Sequence, residues 1–390
     1  MTISPFAIDM YLPAFLQIAE DMNTTASSVS MSVASYFIGL AFGQLIYGPL
    51  LDRYGRKKPI YAGLTLFMIA CIGCLSSDDV FSLVGFRLIQ ALGGCVAWVG
   101  AMTMVRDFFP VQEASKIFSL LVLVLGMSPL VAPTAGGFIT VTLGWRAIFM
   151  VLMIIAGVVL TIVIFFLPEG RAPDREVKIR PGPMLRTFLE IGSQPQFLTY
   201  ALSGSLGFAA LFIYVSGSPV IFMEIYKMEP SNYGILFAAI SVGFIGSSQL
   251  NILMTRYFSS YKIYQWALRT QFLVLISFLI FSFIGAPLWA SILLIFLAMS
   301  CIGMMNPNAS SLALAPFTRN IGSAAALSGF IQISIAAIVS AIVGTFSSGS
   351  LIPFTSLMAV TCLISNVVLI TGRKRIGIPV TGEAGHATAH

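Results

Sequence analysis

The sequence contains few charged residues and only two histidines, and this composition limits which classes of protein it can belong to. Only 9% of its 390 residues are Asp, Glu, Lys or Arg, whereas a soluble domain has about 25%. Hydrophobic residues make up 57% of the chain, against roughly 45–50% in soluble domains. This composition excludes an ordinary soluble domain and indicates an integral membrane protein.

The sequence also lacks the motifs of a membrane enzyme. It contains no H-E-x-x-H pair, nucleophile elbow, phosphate-binding loop or acidic metal cluster, so we expect no enzymatic activity, metal or other cofactor. Its two histidines, His386 and His390, belong to the polar tail "GEAGHATAH". Cys71 and Cys74 form a C-x-x-C within an apolar run, where small packing residues are the better interpretation.

What the sequence does contain is a series of long apolar runs. Runs of about 18 to 25 residues suit helices that cross a hydrocarbon core about 30 Å thick, and do not suit barrel strands of about ten alternating residues. The expected fold is an all-α membrane protein with twelve transmembrane helices. The predicted spans are 1–19, 28–51, 59–76, 80–105, 114–142, 147–167, 196–222, 231–254, 263–284, 288–315, 323–346 and 351–372.

The basic residues behind the formal charge of +6 are concentrated in alternate loops, and this distribution indicates how the chain is oriented in the membrane. Two basic residues, Arg146 and Lys227, lie in one set of alternate loops. The other set carries Arg53, Arg56, Lys57, Lys58, Arg106, Lys116, Arg171, Arg175, Lys178, Arg180, Arg186, Arg256, Lys262, Arg319, Arg373, Lys374 and Arg375. By the positive-inside rule the second set faces the cytoplasm, which places both termini inside. The expected partner is the bilayer of a bacterial inner membrane, and nucleic acid is not expected.

The longest polar break divides the chain into two halves of six spans each. We predict an N-terminal bundle at 1–167, a cytoplasmic linker at 168–195, a C-terminal bundle at 196–372 and a tail at 373–390. The stretches "GQLIYGPLLDRYG" (43–55) and "GSSQLNILMTRYF" (246–258) share a glycine and an Arg-Tyr at the same offsets. Such a weak repeat is expected of transporters with two similar halves around a midplane site.

The loop after the second span reads "GPLLDRYGRKKPI". Its charges alone fit an ordinary cytoplasmic loop with its basic residues anchored at the membrane surface, but the spacing G-x-x-x-D-R-x-G-R-K resembles the signature loop of the major facilitator superfamily. The resemblance implies a fold of two pseudo-symmetric six-helix bundles. It also implies a conformational motif made of Gly48, Asp52, Arg53, Gly55, Arg56 and Lys57, completed by Arg106 and Asp107 at the end of the fourth span.

Further stretches resemble the drug:proton antiporter branch of that superfamily. They are "FRLIQALGGC", "VRDFFP", "LGMSPLVAPTAGGF" and "GWRAIF", and "IDMYLPA" adds a likeness to the bicyclomycin/chloramphenicol-resistance group. The resemblance implies an antiporter motif in the fifth span. This motif would comprise Gly126, Pro129, Pro133, Gly136 and Gly137. The sequence departs from the group in one respect, because only eight residues precede Asp9, so the first helix is expected to be shortened.

Two charged residues, Asp9 and Arg87, lie well inside predicted spans. Each costs about 2.5–3.5 kcal/mol at a helix centre on insertion scales, which favours a functional role in proton coupling over a static ion pair. Pro13 cannot donate to the Asp9 carbonyl and its ring clashes with that carbonyl, so we expect the first helix to bend beside the acid. A pair that opens when Asp9 is protonated would act as a switch.

The remaining candidates describe a mainly apolar substrate pocket. They are Tyr36 and Gln90 in the first half and Phe208, Phe212, Tyr214, Asn306 and Gln332 in the second, together with Asp9 and Arg87. Aromatic side chains in spans more often serve packing. The sequence therefore predicts a monomeric antiporter that exports small amphipathic antibiotics in exchange for protons, and the alternative is a proton-coupled exporter of a metabolite such as an amino acid or sugar.

Overall fold

The computed structural model describes residues 3–108, 128–168, 181–317, 321–346 and 349–376, without the side chains of Arg106, Pro181 and residues 183–185. Within these ranges the chain is helical and contains no strand. The helices of the first half are α1 Ile3–Asp9, α2 Phe15–Asp21, α3 Ala26–Tyr54, α4 Lys57–Leu75, α5 Val80–Phe108, α6 Ser128–Leu143 and α7 Arg146–Phe165. Those that follow are α8 Pro181–Gly192, α9 Pro195–Pro219, α10 Pro230–Met254, α11 Ser260–Phe283, α12 Leu288–Leu314, α13 Ile321–Val343 and α14 Ile352–Arg373.

The predicted all-helical membrane fold is confirmed. Ten of the described helices are long and apolar enough to cross a bilayer, α9 continuing through a π-helical turn at Val220–Ile225, and α6 is a shorter apolar helix. The interrupted segment from α1 to α2 covers the first predicted span, so twelve spans fit the described chain. Of the fifth predicted span, 114–142, the part before Ser128 lies outside the described residues.

The first span is broken where Pro13 predicted a bend. Helix α1 ends at Asp9, and a single 3-10 turn, Leu12–Ala14, contains the proline before α2 begins. A proline in this position removes one helical hydrogen bond and clashes with the carbonyl four residues earlier. Asp9 consequently lies at the end of a seven-residue helix.

Small residues bring the helices of the first half into close contact. A Cβ atom at Gly43 would lie 2.7 Å from the Cβ of Cys95, so α3 and α5 approach each other at a glycine. At the start of α7, the Trp145 backbone N–H donates to Gln17 at 2.9 Å and its indole N–H donates to Asp21 at 2.6 Å. These contacts fasten α5 to α3 and α7 to α2.

The chain packs into two compact units. One contains the described residues of Met1–Ile179, Phe212–Val242 and Ala336–Phe354. The other contains those of Arg180–Leu211, Gly243–Ile335 and Thr355–His390. The division of the sequence into two six-helix bundles at the linker stays a prediction.

The polar linker contains a helix that the sequence analysis did not predict. Helix α8 covers twelve residues of the break between the halves, and an exposed ion pair joins Arg186 to Glu190 one turn later at 3.1 Å. Pairs at this spacing favour a helix by a few tenths of a kcal/mol, a signal that the proline and glycine content of the segment obscured.

The five cysteines are free thiols inside the helical packing. Cys71, Cys74, Cys95 and Cys362 are buried, and Cys301 is partly buried. Cys71 and Cys74 lie on α4 among packed helices, where the sequence predicted packing residues.

Candidate functional site

The loop between α3 and α4 folds around one buried arginine. Arg56 is 4% exposed, and its Nε and Nη2 atoms donate to the two carboxylate oxygens of Asp107 at 2.6 and 3.2 Å. Its Nη1 atom donates to Asp52 at 2.8 Å. Burial lowers the pKa of the guanidinium, but its bonds to these two carboxylates outweigh burial and raise that pKa above its usual range. Arg56 therefore ties α3 to α5.

The other motif residues have unequal structural roles. Gly55 has a φ of 81°, a conformation that favours glycine, and it makes the turn into α4. A Cβ atom at Gly48 would meet no atom within 4 Å, so packing does not require that glycine. The guanidinium of Arg53 lies over the Tyr54 ring at 5.5 Å, and Lys57 begins α4. The side chain of Arg106 lies outside the described residues.

Asp9 is buried at the end of α1, with 7% of its surface exposed. The hydroxyl of Ser128, the first residue of α6, lies beside its carboxyl group. Tyr214 of α9 and Tyr233 of α10 are close enough to interact with its charge. All of these residues belong to one unit, so Asp9 has neighbours from both halves of the sequence.

Arg87 lies on α5, wholly buried, between two aromatic rings. The guanidinium carbon is 4.5 Å from the centre of the Tyr11 ring and 4.4 Å from that of Tyr36. Its Nη1 atom donates to the Ala7 carbonyl at 2.9 Å and to Gln90 at 2.7 Å. Stacking on ring faces stabilises a buried cation by about 2 kcal/mol or more where water is excluded.

Asp9 and Arg87 do not pair in this structure. No ion pair of the described residues joins the Arg87 guanidinium to a carboxylate. The static pair, which was the alternative to a functional role, is therefore not formed in this conformation, while the roles of the two residues in proton coupling remain a prediction. The sequence showed two charges at membrane depth but not the distance between them.

Gln90 connects Arg87 to the C-x-x-C of α4. Its Oε1 atom accepts from Arg87, and its Nε2 atom donates to the sulfur of Cys71 at 3.1 Å. The amide is wholly buried. Gln90 therefore positions the guanidinium, and both its amide oxygen and its amide nitrogen are hydrogen bonded.

Several residues of this site were not singled out from the sequence. Tyr11 stacks on Arg87 and its hydroxyl is hydrogen bonded to Ser32 at 2.9 Å. Tyr233 and Ser128 neighbour Asp9, and Ser4 lies beside the Tyr36 hydroxyl. Tyr11 could have been found two residues after Asp9 in "IDMYLPA", whereas the others carry no sequence signal.

Helix α6 carries the described part of the predicted antiporter motif, and Gly126 lies outside the described residues. A Cβ atom at Gly136 would collide with the backbone of Met10, and one at Gly137 would lie 2.6 Å from the Pro230 carbonyl oxygen. In return, a Cβ atom at Gly234 on α10 would lie 2.6 Å from the carbonyl oxygen of Pro133. The prolines Pro129 and Pro133 both lie within this helix. The backbones of α6 and α10 therefore pack directly against each other at these glycines.

The aromatic candidates on α9 pack against different partners. Phe212 packs on Phe37 with ring centres 5.0 Å apart, and Phe208 packs on Phe244 at 6.3 Å. Tyr214 stacks on Phe237 at 5.1 Å, and its buried hydroxyl has no hydrogen-bond partner among the described residues. Tyr214 is therefore the candidate of this group with a polar atom to offer.

The amide candidates lie together in the second unit. Gln332 donates to Asn306 at 3.2 Å, and both line a cavity of about 20 Å³. A space of that size holds about one water molecule. Asn308 instead donates to Asn251 of α10 at 2.6 Å. The cavity is lined by Tyr200, Ala201, Gly204, Ser205, Asn306, Ala309, Ser310, Ser328 and Gln332.

Comparison with known families agrees with this architecture. The chain matches the Major Facilitator Superfamily over residues 1–341. It is 31% identical to an uncharacterized MFS-type transporter, YdgK, of Bacillus subtilis, over 96% of this chain and 94% of that protein. It is 28% identical to a bicyclomycin resistance protein homolog of Haemophilus influenzae, over 93% of this chain and 91% of that protein.

A third relative and two solved structures extend the comparison. A chloramphenicol resistance protein of Pseudomonas aeruginosa is 29% identical over 63% of this chain and 59% of its own length. The fold matches a D-xylose-proton symporter with a TM-score of 0.71 at 16% identity, covering 93% of this chain and 94% of that chain. It also matches a bacterial homolog of the lysosomal transporter Spinster with a TM-score of 0.70 at 15% identity, covering 95% and 93%.

Proposed function

Because the chain belongs to the major facilitator superfamily of membrane transporters, we propose that it exports small amphipathic antibiotics, of the chloramphenicol or bicyclomycin kind, in exchange for protons. The relatives named for resistance to these two drugs support the substrate class. The observation that carries the proposal is the burial of Asp9 and Arg87 in one unit without an ion pair between them. Two buried charges that are apart in one conformation can pair in another.

The exchange follows from the cost of burying Asp9 as an anion. When a proton from the outer side neutralises Asp9, the carboxyl group loses its attraction for Arg87 and the drug is released outward. When the proton leaves to the cytoplasm, the Asp9 anion attracts the Arg87 guanidinium and the transporter resets. Each proton that enters supplies about 2.3 kcal/mol per 100 mV of membrane potential.

The membrane arrangement forms part of the proposal. The basic loops support an orientation with both termini on the cytoplasmic side of a bacterial inner membrane. A single copy of the chain supplies every residue named above, so the cycle proposed here needs one chain and no cofactor. The exported compound and the proton are its only partners besides lipid.

A second candidate function is export of a polar metabolite. The amide pair of Asn306 and Gln332, with the hydroxyl groups around the same small cavity, favours a substrate with several hydrogen-bonding groups. An amino acid or a sugar has such groups. This alternative uses the same proton exchange at Asp9 and differs only in cargo.

The test is drug susceptibility of an efflux-deficient bacterium that expresses the chain. The panel comprises amphenicols, bicyclomycin and a cationic dye, and the variants are Asp9→Asn and, as a matched control, Asp78→Asn, whose carboxylate is 93% exposed. We expect resistance from the parent chain and the control but not from Asp9→Asn at equal expression. Inverted vesicles should release protons when a substrate is added, and Asp9→Asn should abolish that release.

Two outcomes would contradict the proposal. Proton-coupled export by Asp9→Asn would remove Asp9 from the mechanism. No resistance from a well-expressed, membrane-inserted chain would exclude these drugs and leave metabolite export as the function to test.

A further inference from the structure

Arg87 has an unused edge with the geometry to bind two oxygen atoms. Its Nη1 atom is occupied by Ala7 and Gln90, whereas Nε and Nη2 have no hydrogen-bond partner among the described residues. These two nitrogens lie on one edge of the guanidinium plane and donate in parallel. Because the side chain is 0% exposed, both donors have left water without gaining a protein acceptor.

Another arginine of this chain shows what such an edge binds. Arg56 uses its Nε and Nη2 atoms to hold the two oxygens of Asp107 at 2.6 and 3.2 Å. This is the bidentate geometry in which arginine recognises a carboxylate. Arg87 presents the same edge within the transmembrane helices, with no carboxylate of the described chain paired to it.

The Tyr36 ring lies against this arginine, and Ser4 lies beside the Tyr36 hydroxyl. The Tyr36 ring is 4.4 Å from the guanidinium carbon, and the Tyr36 hydroxyl lies beside that of Ser4. Tyr36 is 0% and Ser4 is 6% exposed, so the two hydroxyl groups are buried side by side. The two guanidinium donors have no acceptor among the described residues, an arrangement that is costly unless something else accepts from them.

The surroundings of Arg87 favour an electronegative ligand over a cation. The groups that face it are the rings of Tyr11, Tyr36 and Phe149 and the neutral side chains of Gln90, Cys71 and Cys74. A second positive charge here would be repelled without compensation. An anion, or a neutral group with two acceptor oxygens, would satisfy the buried donors.

We propose that the Nε and Nη2 edge of Arg87, with the hydroxyl groups of Ser4 and Tyr36, forms a subsite for a planar two-oxygen group of the transported compound, either a carboxylate or a nitro group. The inference rests on the proposed transport function and specifies which part of the cargo that site recognises. Helix α1 carries Ser4 and Ala7 and so covers the subsite.

The experiment measures binding to the purified chain in lipid nanodiscs, with two pairs of probes. Chloramphenicol carries a planar nitro group where thiamphenicol carries a tetrahedral methylsulfonyl group, and phenylacetate carries a carboxylate where 2-phenylethanol carries a hydroxyl. Dissociation constants come from the concentration dependence of the thermal unfolding midpoint, since a ligand that binds only the folded state raises it. We expect the planar member of at least one pair to bind about tenfold more tightly.

Matched variants locate that preference. Tyr36→Phe removes a hydroxyl from the subsite and keeps the aromatic ring on Arg87. Arg87→Lys keeps the positive charge but loses the pair of parallel N–H donors. Each should reduce the preference to about twofold or less. Tyr11→Phe removes a hydroxyl from the opposite ring, where it is hydrogen bonded to Ser32, and should leave the preference unchanged.

The outcomes separate this inference from the proposed function. A preference in the amphenicol pair alone identifies the nitro group, one in the other pair alone identifies the carboxylate, and either supports the subsite. Equal binding within both pairs, no binding of any probe, or a preference that survives both Tyr36→Phe and Arg87→Lys overturns it. Export of a cationic dye that still depends on Asp9 would then show that the antiport proposal stands without the subsite.

Discussion

The two halves of the chain fasten equivalent helices by different chemistry. In the first half, Arg56 joins α3 to α5 through charged bonds to Asp52 and Asp107. In the second half, a hydrogen bond between two neutral side-chain amides, donated by Asn308 to Asn251, joins α12 to α10. The repeated stretches put Asn251 at the position of Gly48, and a threonine at the position of Asp52.

The difference separates groups that titrate from groups that do not. The hydrogen bond between Asn308 and Asn251 joins two amides that do not titrate at physiological pH. The first half instead joins its helices through carboxylates, and it also contains the two buried charges Asp9 and Arg87. The comparison predicts that charge substitutions matter in the first half and packing substitutions in both.

The largest effect should come from Asp107, the less exposed of the two carboxylates that bind Arg56. Asp107→Asn removes the bidentate partner of Arg56 and should lower the free energy of unfolding by about 3 kcal/mol, because it leaves a buried cation with less compensation. Asp52→Asn should cost less than about 1 kcal/mol, since the Asp52 side chain is 52% exposed. Thermal unfolding of the detergent-purified variants measures both. Equal losses would show that the two carboxylates share the role.

A smaller effect should distinguish the glycines at matching positions of the repeat. Gly43→Ala places a Cβ atom 2.7 Å from that of Cys95 and should cost about 1–3 kcal/mol by overpacking. Gly246→Ala meets no atom within 4 Å and should be neutral or stabilise the helix by up to about 1 kcal/mol. The unfolding midpoints of the two variants check this, and Cys95→Gly added to Gly43→Ala should restore part of the loss. A destabilising Gly246→Ala would refute the asymmetry.

The smallest effect should come from the neutral junction. Asn251→Ala or Asn308→Ala should each cost about 1 kcal/mol, because each leaves the other amide buried with fewer partners. The double variant should lose about 0.5–1 kcal/mol less than the sum of the two single losses, which is the coupling expected of residues in contact. Strictly additive losses would show that the bond does not stabilise the junction. The loss should be the same at pH 6 and pH 8.

The sequence predicts the parts of this structure that depend on local pattern. The apolar runs give the helices to within a few residues, as with 80–105 against Val80–Phe108. Pro13 predicts the break after Asp9 because a proline acts on the four residues before it. Asp52, Arg56 and Asp107 were grouped by their motif, and the structure joins them.

The sequence does not predict contacts that depend on how helices rotate against one another. A pair of Arg87 with Asp9 was considered from the sequence, but the Arg87 guanidinium lies against the rings of Tyr11 and Tyr36. The neighbours of Asp9 on α9 and α10 lie more than 200 residues away along the chain, and no periodicity encodes that approach. Helix packing, and not composition, therefore defines the candidate site.

Because four of the native thiols are buried and Cys301 is partly buried, the unmodified chain is well suited to site-directed labelling. None of the five cysteines is exposed, so maleimide reagents should react with them slowly under native conditions. Exposed positions such as Ser76 and Thr345 offer sites for a single reporter cysteine. Spin or fluorescence probes placed there could follow the transport cycle without first removing Cys71 or Cys95, both of which contact residues on neighbouring helices.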